Sequence, residues 1–141
     1  EELPRERLAL AVNAVAAIRG MLDITSNYAQ EREAFGKPIS QFQHLRFKFA
    51  EMETKYRLNT AFIKECLNLF QTNSLDTGTA SMAKLASTEA QCEIADTCLQ
   101  MFGGYGYMNE YPISRLFVDS RVRRIYGGTS EIMKLVIGRT V

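Results

Sequence analysis

Apolar residues recur at steps of three and four along most of the chain, which is the spacing of one α-helix face. The first such face lies in a segment from about Pro4 to about Glu33, and proline suits the first turn of a helix. Its predicted core positions are Leu8, Ala11, Val15, Ile18, Leu22, Thr25 and Ala29. We therefore expect a long first helix that buries one stripe.

The second periodic segment has the longest pattern. It follows a break at residues 34–40, where Gly36 can end a helix and Pro38 delays the next one. Ser40 and Gln43 have the spacing of a capping box, which predicts the start of a second helix. The predicted seam has one polar member among Phe42, Leu45, Phe49, Met52, Tyr56, Asn59, Ile63, Cys66 and Phe70.

A third long helix is expected from about Thr79 to Phe102, because residues 72–78 before it have the composition of a loop. Small residues dominate its predicted contact face and should let another helix backbone come close. That face consists of Ala83, Ala86, Ala90, Ile94, Thr97 and Met101.

Glycine-rich breaks separate two shorter helices. Gly-Gly-Tyr-Gly-Tyr at 103–107 predicts a stop, and Pro112 begins a helix that runs to about Arg123. Gly-Gly-Thr at 127–129 predicts a second break, followed by a last helix over 130–139. No window alternates strictly between apolar and polar residues, so no strong strand is expected. The predicted fold class is all-α, an antiparallel up-down helical bundle.

Composition narrows the function classes. The chain has 141 residues, 46% of them apolar, which suits one domain with a sizeable core. Its 17 basic and 16 acidic residues argue against a nucleic-acid binder, which needs a basic surplus. No stretch approaches the roughly 20 consecutive apolar residues of a membrane-spanning helix. The chain begins without an initiator Met, so we expect a fragment of a longer protein.

Few residues indicate a catalytic or metal site by their type and spacing alone. His44 is the only histidine, which disfavours a catalytic triad or a histidine-rich metal site and indicates a surface residue. We expect no metal. Cys66, Cys92 and Cys98 form no CxxC pair and are interpreted as buried thiols. Without further motifs, these patterns indicate only a helical bundle.

Three segments together carry a family resemblance. They are residues 32–39 (Arg-Glu-Ala-Phe-Gly-Lys-Pro-Ile), residues 100–112 with Gln-Met-Phe-Gly-Gly-Tyr-Gly-Tyr and Glu-Tyr-Pro, and residues 124–132 (Arg-Ile-Tyr-Gly-Gly-Thr-Ser-Glu-Ile). In this order and spacing the chain resembles the C-terminal domain of acyl-CoA dehydrogenases over its whole length. The resemblance implies that residues 1–141 lack the N-terminal helical and middle β domains of a longer protein.

The resemblance also implies a reaction. A base removes the proton next to the thioester carbonyl of an acyl-CoA, FAD takes a hydride from the next carbon, and a trans-2-enoyl-CoA results. Electrons then pass to an electron-transferring flavoprotein. The family is usually tetrameric, with this domain in the oligomer core. Its members work in the mitochondrial matrix of eukaryotes or the cytoplasm of bacteria.

Arg32 matches the family arginine that contacts the FAD pyrophosphate across a subunit boundary, and a guanidinium fork suits phosphate oxygens. The residues alone also allow a solvated arginine at a helix end, a helix cap at the glycines and an N-cap threonine. The other positions that match cofactor contacts are Phe35, Gln43, Gln100, Gly103, Gly104, Thr129 and Glu131.

The catalytic base is the main departure from the family pattern. Many members have a glutamate directly before the Gly-Thr of the last turn, but this chain has Gly127 and Gly128 there. Either the protein is inactive, or it is of the isovaleryl-CoA or long-chain type, in which the base lies on the first helix. Glu6 then matches the base, and Arg7, Gly127 and Gly128 match substrate-binding positions. An ordinary acidic residue in a first helical turn would explain Glu6 as well.

Two further alternatives stay open. An acyl-CoA oxidase would perform the same reaction with oxygen as acceptor, and an inactive bundle would act only in assembly. We expect the isolated fragment to fold, to oligomerise through its apolar seams, to bind FAD weakly or not at all, and to have no activity.

Overall fold

A computed structural model describes residues 2–140. Within that range the chain forms five α-helices, two short 3₁₀ helices and one two-residue β-hairpin. The helices are α1 (Glu2–Glu31), α2 (Gln43–Gln71), α3 (Thr77–Phe102), α4 (Pro112–Val122) and α5 (Ser130–Ile137). The 3₁₀ helices are Ile39–Gln41 and Gly103–Tyr107, and the strands are β1 (Glu33–Ala34) and β2 (Lys37–Pro38).

The three long helices run up, down and up. Contacts between α1 and α3 keep one sequence offset, since Arg7–Ser81 and Tyr28–Phe102 are both 74 residues apart, so these helices are parallel. Between α2 and α3 the offset changes from 38 residues at Lys55–Glu93 to 46 at Cys98–Met52, so those helices are antiparallel. The predicted all-α bundle is confirmed.

The core lies mainly between α1 and α3. All seven predicted core positions of α1 are buried, with exposures between 0% for Ala29 and 8% for Val15. One cluster centres on Ile18, Leu22 and Ile94, and a second joins the start of α1 to the end of α2. The helical period of the sequence therefore predicts this helix face correctly.

α1 also has a property that the hydrophobic pattern did not predict. The stretch Leu3–Glu31 is long and apolar enough to cross a membrane by length and composition alone. Core helices pass the same test, and the apolar face of α1 packs on α3. Length and composition therefore give only weak support for a span.

The second helix differs from its prediction in two ways. Its N-cap is Phe42 without a side-chain hydrogen bond, and the 3₁₀ turn Ile39–Gln41 comes first, so the predicted capping box of Ser40 and Gln43 is wrong. Its seam is only partly covered, because Phe70 is 41% exposed and three seam residues are buried, namely Met52, Ile63 and Cys66.

The third helix begins two residues earlier than expected, at Thr77, because Asp76 caps it. The Asp76 carboxylate accepts hydrogen bonds from the Thr79 backbone N–H at 2.8 Å and from the Thr79 hydroxyl at 2.5 Å. On its predicted face Ala83, Ala90 and Ile94 are buried, but Ala86 is exposed. The described neighbours cover only one side of α3 at that point.

The lone histidine and the cysteines largely follow expectation. His44 is exposed, as predicted. Cys66 and Cys98 are buried and Cys92 is half-buried, and all three are free thiols. Burial raises the pKa of the Cys98 thiol to about 11, against a weaker opposing effect of a hydrogen bond with Thr25. Two of the three thiols are therefore structural core groups.

Candidate functional site

The start of α1 and the turn before α5 meet at one end of the bundle. A Cβ atom added to Gly127 would lie 3.8 Å from Glu6 Oε1 and 2.5 Å from Leu10 Cδ1. Glu6 itself is exposed on the first turns of α1. A carboxylate from α1 therefore lies beside the position that a side chain at residue 127 would occupy.

The backbone of this turn favours glycine at two successive positions. Gly127 and Gly128 have φ values of 66° and 98°, in the left-handed region that residues with a side chain rarely adopt. A Cβ on Gly128 would also meet Met133 Cε at 2.6 Å. The turn thus exposes backbone where other residue types would present a side chain.

Thr129 caps α5, which is the alternative that its residue type allowed beside the predicted contact with FAD. Its hydroxyl oxygen accepts a hydrogen bond from the Ile132 N–H at 3.4 Å. Glu131 follows in the first turn, and its pKa is lowered mainly by its own backbone N–H and then by a hydrogen bond with Thr129. A helix start that stabilises a carboxylate in this way favours electron-rich groups nearby.

Arg7 lies below the surface instead of beside Glu6 in solvent. It is only 6% exposed, and its Nη1 donates to Ser81 Oγ on α3 at 3.0 Å. Its Nε is buried without a hydrogen-bond partner. The guanidinium therefore fixes α1 against α3, and contact with a substrate stays a prediction.

Lys84 is a residue of this end that its sequence context did not predict. Its side chain is 0% exposed, and its ammonium donates to the carbonyl oxygen of Gly128. Burial lowers its pKa, and the charge of Arg7 lowers it further, whereas Glu89 opposes the shift. The available signal was a row of polar residues at helical spacing, all of them buried: Ser81, Lys84, Thr88 and Gln91.

Glu89 ties the last part of the chain to α3. Its Oε1 accepts hydrogen bonds from Arg124 Nε at 2.9 Å and from the Ser130 hydroxyl at 2.6 Å. Ser130 is the first residue of α5, and it is 4% exposed. The start of α5 is therefore bonded to α3, as the start of α1 is through Arg7 and Ser81.

A second candidate site lies at the opposite end of the bundle. An open groove of about 540 Å³ is lined by Tyr28, Arg32, Ile39, residues 101–105 and Met108. The Arg32 guanidinium lies 5.7 Å from the centre of the Tyr105 ring. The sequence-predicted residues Arg32, Gly103 and Gly104 are brought together here.

Aromatic packing forms the base of this groove. The rings of Tyr28 and Phe102 stack with centroids 4.1 Å apart. Burial raises the pKa of Tyr28, an effect that the charge of Arg32 partly offsets. Gly103, at φ 58°, and Gly104 have open space where a Cβ would be, so the backbone is accessible to a ligand.

The hairpin beside the groove presents an aromatic ring to solvent. Phe35 is 96% exposed and has a positive φ of 51°. Its ring packs edge-on against the Phe42 ring, with the two ring centroids 6.2 Å apart. Gln43 is exposed at the start of α2. Gln100 lines an adjacent cavity of about 340 Å³ with His44 and Met101 among its neighbours.

The two ends are far apart within one chain. α1 separates Glu6 from Arg32 by 26 residues (32 − 6), which corresponds to roughly 39 Å at 1.5 Å per residue. The predicted cofactor residues Thr129 and Glu131 lie at the Glu6 end, and the others lie at the Arg32 end. Across residues 2–140, no group of three or more His, Cys, Asp or Glu residues could hold a metal ion.

Comparisons with known proteins decide the family. The family model described as "Acyl-CoA dehydrogenase, C-terminal domain" matches residues 1–141. The chain belongs to the acyl-CoA dehydrogenase family. It is 47% identical to the mouse (Mus musculus) protein "Long-chain specific acyl-CoA dehydrogenase, mitochondrial" over 141 residues, all of this chain and 33% of that protein. It therefore spans about a third of the length of this curated relative.

Solved structures of acyl-CoA dehydrogenases have the same fold. The enzyme from Geobacillus kaustophilus superimposes with a TM-score of 0.97 at 39% identity, over 99% of this chain and 37% of that one. An acyl-CoA dehydrogenase complexed with FAD, from Bacillus anthracis, gives 0.93 at 29% identity, over 98% and 27%. The acyl-CoA dehydrogenase C-terminal fold is thus established for the described residues.

Proposed function

We propose that the protein containing this chain is an FAD-dependent acyl-CoA dehydrogenase and that Glu6 is its catalytic base. The reaction converts an acyl-CoA thioester to a trans-2-enoyl-CoA. The observation that carries the proposal is the position of the Glu6 carboxylate, 3.8 Å from where a Cβ of residue 127 would lie. Many family members carry their glutamate at that residue, so a base from α1 reaches the same space.

To act as the base, Glu6 needs an ionised carboxylate that reaches the substrate proton. A general base works from any backbone position that brings its oxygen within hydrogen-bond distance of the proton. Exposure of Glu6 leaves its carboxylate accessible to a substrate. Gly127 and Gly128 contribute no side chain that would compete for the space beside it. These features favour a relocated base over an inactive domain.

The residues of this chain fit FAD at both ends. At the groove, Arg32 supplies a guanidinium for phosphate oxygens, and Gly103 and Gly104 allow close backbone approach. At the turn, the capped start of α5 with Thr129 and Glu131 provides backbone N–H groups. When bound, FAD supplies the hydride acceptor.

Two copies of the chain are needed to complete one cofactor site. The roughly 39 Å between Glu6 and Arg32 exceeds the length of an extended flavin dinucleotide, so one FAD does not reach both ends of the same chain. A homo-oligomer, a tetramer by family resemblance, brings the Arg32 end of one copy to the Glu6 end of another. Exposed apolar residues on α2, such as Phe47 at 58% and Leu58 at 67%, are suited to such an interface.

The relatives suggest an electron acceptor and a cell compartment. We expect electrons to leave through an electron-transferring flavoprotein, and a eukaryotic source would place the protein in mitochondria, as the name of the mouse relative indicates. A bacterial source implies the cytoplasm. Oxygen as acceptor would make the protein an acyl-CoA oxidase, and an assembly role without catalysis is the alternative from another class.

Anaerobic reduction of the flavin tests the proposed reaction. The whole protein, with FAD bound, is mixed with a panel of straight-chain and branched acyl-CoAs, and flavin absorbance is followed. We expect bleaching by at least one thioester and formation of the matching 2-enoyl-CoA, which names the substrate class. Repeating the reaction with oxygen separates an oxidase from a dehydrogenase.

Two outcomes would contradict the proposal. If the protein binds FAD but no acyl-CoA bleaches it, the assembly role replaces the enzymatic one. If the whole protein binds no FAD, the cofactor assignment is wrong as well. The isolated chain is a useful control, because we expect it to bind FAD weakly or not at all.

A further inference from the structure

Lys84 is the largest completely buried side chain among residues 2–140. Burying an ammonium is costly unless a carboxylate pairs with it or hydrogen bonds satisfy it. In the part of the chain that the structure describes, the ion pairs of lysine involve Lys48 and Lys55, and none involves Lys84. A stable fold alone would favour an apolar residue at this position.

The ammonium has one described hydrogen-bond acceptor, the carbonyl oxygen of Gly128. In a planar trans peptide the C=O and the following N–H point in opposite directions. Drawing the Gly128 carbonyl toward Lys84 therefore aims the Thr129 N–H away from it. Gly128 has a φ of 98° and no side chain, so its own conformation restricts the orientation of this peptide little.

Lys84 is also the middle member of a row on α3 that anchors the whole Glu6 end. Ser81 accepts from Arg7 next to Glu6, Lys84 donates to Gly128, and Glu89 accepts from Ser130 at the start of α5. One helix thus fixes the distance between the proposed base and the glycine turn.

We infer that Lys84 is a positioning residue, whose buried ammonium fixes the Gly128 carbonyl and with it the backbone turn beside the Glu6 carboxylate. The inference rests on the proposed function, since the turn and Glu6 are taken to face the reacting carbons. The lowered pKa of Lys84 agrees with this role, because it reflects the cost of keeping the charge buried. Reactions lose rate steeply when reacting groups shift by small distances.

The test compares Lys84→Met with the parent in the whole FAD-bound protein. Methionine has a similar length and no donor. We expect the limiting rate of flavin reduction by the best acyl-CoA to fall by about tenfold to hundredfold. The substrate concentration for half-maximal rate should stay within about threefold, since the change acts on the chemical step. The melting temperature should equal or exceed that of the parent, because a buried charge is removed.

Lys64→Met is the matched control, because Lys64 is an exposed lysine on α2. It should leave both the rate and the melting temperature unchanged. A parental rate in Lys84→Met would overturn the inference, and so would a fall in rate accompanied by loss of FAD and a lower melting temperature, which indicates a merely structural role. If Lys84→Met does not fold, Lys84→Leu decides in the same way, since leucine also has no hydrogen-bond donor.

The parent and Glu6→Gln proteins separate this inference from the proposed function. If acyl-CoA reduces the parent but not Glu6→Gln, and Lys84→Met behaves like the parent, the inference about Lys84 alone is wrong. If no acyl-CoA reduces the parent flavin, the proposed function and the inference are both wrong.

Discussion

The two ends of the bundle are built in opposite ways. At the Glu6 end, Arg7 and Lys84 are buried and bonded within the chain, so the turn is fixed before any ligand arrives. At the groove end, Arg32 is exposed and Phe35 is 96% exposed. The chain thus holds the proposed catalytic end by buried hydrogen bonds, whereas the groove end presents Arg32 and Phe35 to solvent beside the aromatic rings of Tyr105 and Phe42.

A mixed oligomer tests this difference with the largest expected effect. Glu6→Gln removes the proposed base and Arg32→Glu repels phosphate, so either variant alone should be nearly inactive. If each site takes Glu6 from one copy and Arg32 from another, a mixed dimer interface contains one site with both changes and one with neither. We expect refolded mixtures to regain up to about half of the parental activity in mixed assemblies. Activity that stays absent in proven mixed assemblies would contradict the two-copy site.

A substitution in the hairpin should have a smaller effect, on FAD affinity at the groove end alone. Phe35→Ala should weaken FAD binding by about tenfold, a loss of roughly 1.4 kcal/mol, because the exposed ring is available to pack on a ligand. The fold should be unaffected, since the ring contacts only Phe42 among described aromatic side chains. Phe117→Ala, at an exposed phenylalanine on α4, is the matched control for FAD titration. Equal FAD affinity in Phe35→Ala and the parent would remove Phe35 from the cofactor site.

The start of α3 affects stability and leaves the chemistry alone. Asp76→Ala removes the N-cap and should lower the stability of the fold by about 1 kcal/mol, measured by thermal unfolding at pH 7. Hydrogen bonds from Thr79 hold the pKa of Asp76 below its ordinary value of 3.8, so its stabilising effect is complete above that pH. The effect is lost as pH falls through the lower folded-state pKa. The difference between variant and parent should therefore shrink in acid, and a constant difference would contradict the cap.

The smallest expected difference is in the rates at which the three cysteine thiols are labelled. Burial raises the pKa of all three thiols, with Cys98 at about 11, so few thiolates exist at pH 8. We expect half-buried Cys92 to react first and Cys66 and Cys98 to react only on unfolding, as mass spectrometry of timed samples would show. Rapid labelling of Cys98 in the folded protein would mean that the core opens readily.

The sequence predicted the α1–α3 core well because that contact is complete within the chain. Each residue of the α1 stripe is buried by α3 and its neighbours, so periodicity and burial coincide. The α2 seam has the same periodicity, but Phe70 and much of that stripe stay exposed, because a pattern does not say where its partner lies. The early start of α3 depended on Asp76, whose capping role requires the actual backbone geometry.

The candidate sites were predictable in different degrees. Motif resemblance found Arg32 and the two glycine turns, which are local in sequence. Resemblance also paired Glu6 with the space left at Gly127. These residues come from opposite ends of the chain, so the 3.8 Å between Glu6 Oε1 and a Cβ at residue 127 follows only from the fold. Lys84 was not predictable because lysine is rarely fully buried, so its residue type indicates a surface position.

The most direct test of the central claim is the rate of anaerobic flavin reduction in Glu6→Gln. Loss of a general base costs two to four orders of magnitude in rate at constant FAD content, roughly the range we expect here. Glu65→Gln, at an exposed glutamate on α2, is the control and should react at the parental rate. If Glu6→Gln reduces its flavin as fast as the parent, Glu6 is not the base.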